Sequence, residues 1–138
     1  MFSCPCCKNF AYKACCAPYH TGKAPENALL LMRSRYSAYA LRQADYILKT
    51  EHPTLRAKQE AAHKETVEDF CTKTTFEKLV IYEFLEEKER SYVTFEAHLS
   101  QNGASYSFLE KSLFLLENGL WLYADGEIKR NGEIGIFH

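Results

Sequence analysis

The sequence predicts an α+β domain, with helices first and an antiparallel meander of strands after them. Three observations carry this. Residues 27–40 repeat apolar side chains at helical spacing without Gly or Pro. Residues 92–99 alternate at strand spacing. Asn102-Gly103 and Asn118-Gly119 each sit between apolar runs, where a two-residue hairpin turn is needed.

Each element follows in order. Residues 17–25 hold Pro18, Gly22 and Pro25 and read as a connector. Glu26 or Asn27 opens the first long helix, with Leu29, Met32, Tyr36, Tyr39 and Ala40 on one face. Asp45 is the expected N-cap of a second, shorter helix through Tyr46, Ile47 and Leu48. His52-Pro53 should end it, because the residue before proline avoids helix. Residues 55–71 read as a third helix, polar until Val67, Phe70 and Cys71. Strands are expected over 79–85, 92–99, 106–116 and 120–125. Residues 126–138, with three glycines and little pattern, read as a loose tail. The expected core includes Leu29, Met32, Tyr36, Tyr39, Val93, Phe95, Phe108, Phe114 and Trp121. Alternation alone does not say which sheet face turns inward.

Five of the six cysteines fall in the first sixteen residues. Cys4, Cys6, Cys15 and Cys16 form a C-x-C-x8-C-C pattern. Two close thiol pairs on a short loop can fold back and place four sulfurs around one ion. Zinc suits such a set, since it accepts a thiolate tetrahedron and imposes no geometry of its own. A disulfide knot is the alternative. The chain starts Met1-Phe2-Ser3 and runs straight into the cysteines, with no secretory-type leader, so a reducing cytoplasm is expected. His20 is an alternative fourth ligand, and Cys7 reads as a spare thiol beside the site. Cys71 reads as core.

The chain has 138 residues, 46% of them hydrophobic, enough for a core that does not need the metal. We expect residues 1–25 to form the zinc-binding segment and connector, and 26–138 the α+β domain. No apolar run approaches the ~20 residues needed to cross a membrane. Net charge is −1, but residues 1–64 carry an excess of basic groups and residues 65–138 an excess of acidic ones. No tight Lys/Arg cluster interleaves with aromatics, so direct nucleic-acid binding is not expected.

Several segments together resemble a known family. Cys4-Pro5-Cys6, Cys15-Cys16 and the following Pro18-Tyr19 look like the SEC-C motif, the small zinc element also found at the end of the SecA translocation ATPase. Residues 31–39 (LMRSRYSAY), 44–53 (ADYILKTEHP) and 114–126 (FLLENGLWLYADG) are similar to the YchJ family of bacterial SEC-C proteins. The resemblance implies a fold like nuclear transport factor 2, a cone of helices laid in a curved sheet. It implies no particular reaction. Three departures stand out. Cys7-Lys8-Asn9 replaces the family's Gly-Ser-Gly, whose glycines would ease a tight loop. No cysteine follows Cys71, so the second motif that many members carry at their end is absent. Ser112-Leu113-Phe114 replaces Ser-Arg-Phe and lacks a positive charge.

Four thiolates leave no open position for water, so the expected metal is structural rather than catalytic. Arg33, Arg35, Tyr36, Tyr39, Asp45, Tyr46 and His52 form the candidate pocket, dense in polar and aromatic groups. Arg33 or Arg35 paired with Asp45 would close the cone as a polar core; an unpaired arginine would anchor a small anionic or polar ligand. A catalytic reading would pair His52 or His98 with Asp45, Glu96 or Glu110, and no spacing demands it. The favoured function is therefore a zinc-anchored adaptor for a protein or ribosomal partner. Lys8, Lys13, Tyr12 and Tyr19 would present its surface. Small-molecule binding in the cone, with or without catalysis, is the rival.

Overall fold

The computed structural model describes residues 2–56 and 62–130. After a single 3₁₀ turn at Tyr12–Ala14 come five helices: α1 (Ala17–His20), α2 (Ala28–Ala40), α3 (Ala44–Lys49), α4 (Pro53–Arg56) and α5 (His63–Lys73). Four strands follow: β1 (Thr75–Glu86), β2 (Arg90–Gln101), β3 (Ala104–Glu117) and β4 (Leu120–Arg130). The strands form one antiparallel sheet in the order β1-β2-β3-β4. The α+β architecture read from the sequence is the one observed.

Helix α2 lies across the concave face of the sheet. Asn27 starts it, accepting a hydrogen bond from Leu30 N at 2.9 Å, which satisfies one of the orphan amides of the first turn. Met32 and Tyr36 join the core of the sheet, while Ala38 packs with Ala44, Tyr46 and Ile47. The helix is thus buried on more than the single face that its spacing suggested, which explains why Ser34, Arg35 and Ser37 are buried with it. It ends in a Schellman turn: Gln43 N reaches Ala38 O at 2.8 Å and Arg42 N reaches Tyr39 O at 3.3 Å. Arg42 takes the left-handed position at φ 61°, where glycine is the usual choice, at a cost of about 1 kcal/mol.

That turn moves the start of α3. Gln43, not Asp45, holds the N-cap position, and no side chain caps it. Asp45 falls inside the first turn, where its charge favours the helix dipole. The helix stops at Lys49, before His52-Pro53, because Pro53 opens α4 instead. The expected helix over 55–71 is described only as α4 and α5, since residues 57–61 lie outside the described residues.

Both Asn-Gly pairs make the expected turns, with φ near 52° at the asparagines and 80° at the glycines. Strand β1 carries two irregularities, at Phe76/Lys78 and Ile81/Glu83. The opposite edge, β4, is bound in its middle by the segment after α3: Tyr123 N donates to Thr50 O at 2.8 Å and His52 N donates to Tyr123 O at 2.7 Å. Residues 126–130 continue β4, so this part of the expected tail is strand; residues 131–138 lie outside the described residues. Gly126 permits the pairing because a Cβ there would run into the side chains of Glu110 and Tyr123. The inward face is now fixed: Val93, Phe95, Ala97 and Leu99 from β2, Glu110, Ser112 and Phe114 from β3, Trp121 from β4. No helix among the described residues is long and apolar enough to cross a membrane.

Candidate metal centre and the cone cavity

The N-terminal segment folds by closing a loop on itself. Cys4 N donates to Phe10 O at 2.7 Å, and Lys8 N donates to Cys4 O at 2.8 Å. The left-handed residue of this loop is Lys8, at φ 63°, so the turn forms without the glycines found in the resembled motif. The loop and α1 bring Cys4, Cys6, Cys15 and Cys16 together with all four sulfurs within 4.8 Å of one another. Cys6 Sγ lies 3.6 Å from Cys15 Sγ and 3.7 Å from Cys16 Sγ. A tetrahedral ion with metal–sulfur bonds of ~2.3 Å would set its sulfurs ~3.8 Å apart. The four residues therefore fit a metal ion.

Their electrostatics point the same way. Hydrogen bonds from Cys16 and Cys6 hold the Cys4 thiol well below its usual range. Cys6 is pushed up by its hydrogen bonds to Cys16 and Cys4, and Cys16 to about 12 by its bond to Cys4. One thiolate is thus sheltered by the protons of its neighbours, and full ionisation requires a cation among them.

Helix α2 supplies the shell behind the cysteines. Ser37 Oγ lies 3.3 Å from Cys4 Sγ, and Arg33 Nη1 donates to Cys6 O at 3.2 Å. His20, the alternative ligand, has both ring nitrogens engaged elsewhere. Its Nε2 donates to Ser34 O at 2.8 Å, so its Nδ1 accepts from Tyr12 OH at 2.7 Å. Burial lowers its pKa, which keeps this neutral form. Cys7 Sγ accepts from Asn9 N at 3.4 Å and stands outside the four. Cys71 is buried with Val67 and Ala44, as core.

The seven candidate pocket residues do not share one place. Arg35, Tyr36 and Tyr39 line a cavity of about 120 Å³ between α2 and the sheet. Arg33 turns to the cysteine loop. Tyr46 OH meets Ser34 Oγ at 2.7 Å. Asp45 is exposed and pairs with Lys64 at 2.8 Å, so the expected inward Arg–Asp pair is not formed. His52 hydrogen-bonds Glu117 and closes the rim of β3. His98 pairs with Glu96 at 3.2 Å, at half-exposed positions. Leu113 alternates with buried Ser112 and Phe114 and pairs with Tyr92 across β2, so it faces outward. An arginine there would not have reached the cone.

The polar end of the cavity is made by residues that the candidate set missed: Glu110, Ser112 and Tyr123. Glu110 Oε2 accepts from Tyr123 OH at 3.0 Å and from Ser112 Oγ. Arg35 Nη1 donates to Ile47 O at 2.8 Å and Thr50 Oγ1 at 2.7 Å, and its guanidinium stacks 4.5 Å over Tyr123. Burial pushes the Glu110 carboxyl up from its ordinary value of 4.5, against the downward pull of Ser112, Tyr123 and Arg35. Its proton is therefore held more tightly in the folded chain than in the unfolded one. The stability this gives is complete below the unfolded value and is lost as pH rises through the folded one. Glu110→Gln keeps the shape and removes the titration. The variant is expected to gain on the wild type as pH rises above 4.5, by up to about 1.4 kcal/mol per pH unit, read by urea denaturation. A difference that does not change with pH would show that Glu110 stays ionised.

The comparisons with known proteins agree with this geometry. The sequence model for the middle, NTF2-like domain of YchJ matches residues 27–126. A UPF0225 protein of Vibrio parahaemolyticus is 38% identical over 90% of this chain and 74% of its own length. One from an Enterobacter strain is 37% identical over 89% of this chain and 81% of its own. A SEC-C motif containing protein from Rhodopseudomonas palustris, solved in solution, superposes with a TM-score of 0.81 at 30% identity, covering 91% of this chain and 98% of that one. A SEC-C motif containing protein from Psychrobacter arcticus gives 0.79 at 26% identity, covering 89% and 80%.

Proposed function

This chain belongs to the YchJ family, and from that premise we propose that it is a zinc-anchored adaptor that docks on a protein or ribosomal partner in the cytoplasm. The observation that supports this is the closed cysteine set with an exposed apolar rim. Four sulfurs within 4.8 Å of one another would hold zinc as a structural ion, leaving no site for a reacting water. Around them Phe10 is 64% exposed and Phe2 54%, with Lys8 and Lys13 beside them. Tyr12 and Tyr19 do not share this role: their hydroxyls are engaged with His20 and Glu26. The metal fixes the loop, and the loop offers two aromatic rings and two cations. An acidic surface with an apolar centre is the complementary partner.

The test separates docking from stapling. The double variant Phe10→Ser/Lys13→Glu leaves the cysteines and the groups behind them in place. It should keep one zinc per chain and its melting temperature, and lose at least tenfold in co-sedimentation with ribosomes or in affinity capture of a protein partner. Unchanged partner sets would remove the rim from recognition.

A further inference from the structure

We infer that the cone cavity is a binding site for a short monocarboxylate, with a branched or cyclic body of about five heavy atoms or fewer. The inference stands apart from the adaptor reading, since Met32, Arg35, Tyr36 and Tyr39 of α2 line the cavity while Arg33 and Ser37 meet the cysteine loop.

Size comes first. The cavity measures about 120 Å³. An apolar cavity of about 150 Å³ takes a benzene ring, so a slightly smaller body fits here. Most of the wall is apolar, from Met32, Phe76, Phe95, Leu99, Phe108 and Phe114. The body of the ligand is therefore hydrocarbon.

The charge comes from Arg35, which lines the cavity and is only 6% exposed. Its hydrogen bonds to the chain use Nη1 alone and go to neutral oxygens. Among the described residues no carboxylate forms an ion pair with it. The Tyr123 ring offsets only part of its desolvation, far less than an anion would. The nearest acid in the cavity is Glu110, 7% exposed, whose burial favours the neutral form. Oε2 of Glu110 already accepts two hydrogen bonds, and among the described residues Oε1 has none. The Tyr36 hydroxyl, from another lining residue, is buried with no hydrogen-bond partner. A buried cation and a carboxyl group whose burial favours its protonated form, at one end of an apolar chamber, match a carboxylate head on a hydrocarbon body.

The experiment uses the metal-loaded full chain and isovalerate as probe. Methyl NMR should show the Met32 and Ala97 methyls moving with a Kd of about 0.1–1 mM. Isovaleramide, the same shape without charge, should bind at least tenfold more weakly. Cyclohexylacetate, too large for the chamber, should leave both methyls unmoved. Ala97→Leu, which adds bulk to the lining, should abolish the isovalerate shifts; the two probe comparisons stand even if that variant does not fold. Equal binding of acid and amide, or no methyl shift at about 20 mM isovalerate, overturns the inference.

Discussion

Cys4→Ser is expected to release the metal and to destabilise the whole domain. Cys4 is fully buried, beside Ser37 of the central helix. Without the ion the remaining thiolates take up protons and the metal's contribution to folding is lost, at a cost of about 3–5 kcal/mol. That corresponds to a fall in melting temperature of about 10–20 °C for a chain of this size. Elemental analysis should drop from one zinc per chain towards none, and calorimetry should show the fall. The loss reaches the cone because Cys4, Cys6 and Cys16 belong to one continuous core with Met32, Tyr36 and Phe114. The sequence suggested a core independent of the metal. Metal loss with an unchanged melting temperature would restore that view.

Phe114→Ala is expected to cost about as much, 3–5 kcal/mol, by equilibrium denaturation. Among the described residues Phe114 is the largest fully buried side chain, and its ring stacks edge-on to Tyr123 at 5.7 Å between centroids. It also forms part of the cavity wall. Removing it enlarges a chamber that already exists, so little collapse can offset the loss, and the cost should fall in the upper part of that range. A cost under about 2 kcal/mol would mean that the helices close down on the sheet.

Much of this was legible in the residues. The two Asn-Gly turns needed only backbone chemistry, and the cysteine set needed only spacing. Asn27 capped its helix as its type predicts. The cavity was harder to read. Glu110 sits in phase with Phe108, Ser112 and Phe114 on β3, and period two would place it among them. What alternation could not say was which side of β3 met the helices, so Glu110 entered only as one possible acid–base partner of a histidine and not as a cavity residue. Asp45 failed for the opposite reason. Its type suits a cap, but the Schellman turn at Arg42 shifted the helix start and left Asp45 on the surface beside Lys64. Such a shift comes from tertiary closure between α2 and α3, and no local pattern carries it.

The sheet has two outer strands, and neither offers a straight run of unpaired backbone. Residues 50–52 cross β4 at its middle, while β1 is broken twice in register and bears Glu77, Lys78, Glu83 and Glu86. A visiting strand could not lay more than a few consecutive bonds along either side. Fibril growth and strand exchange between copies are thereby discouraged. Whatever this molecule recognises, it must read through side chains and shape.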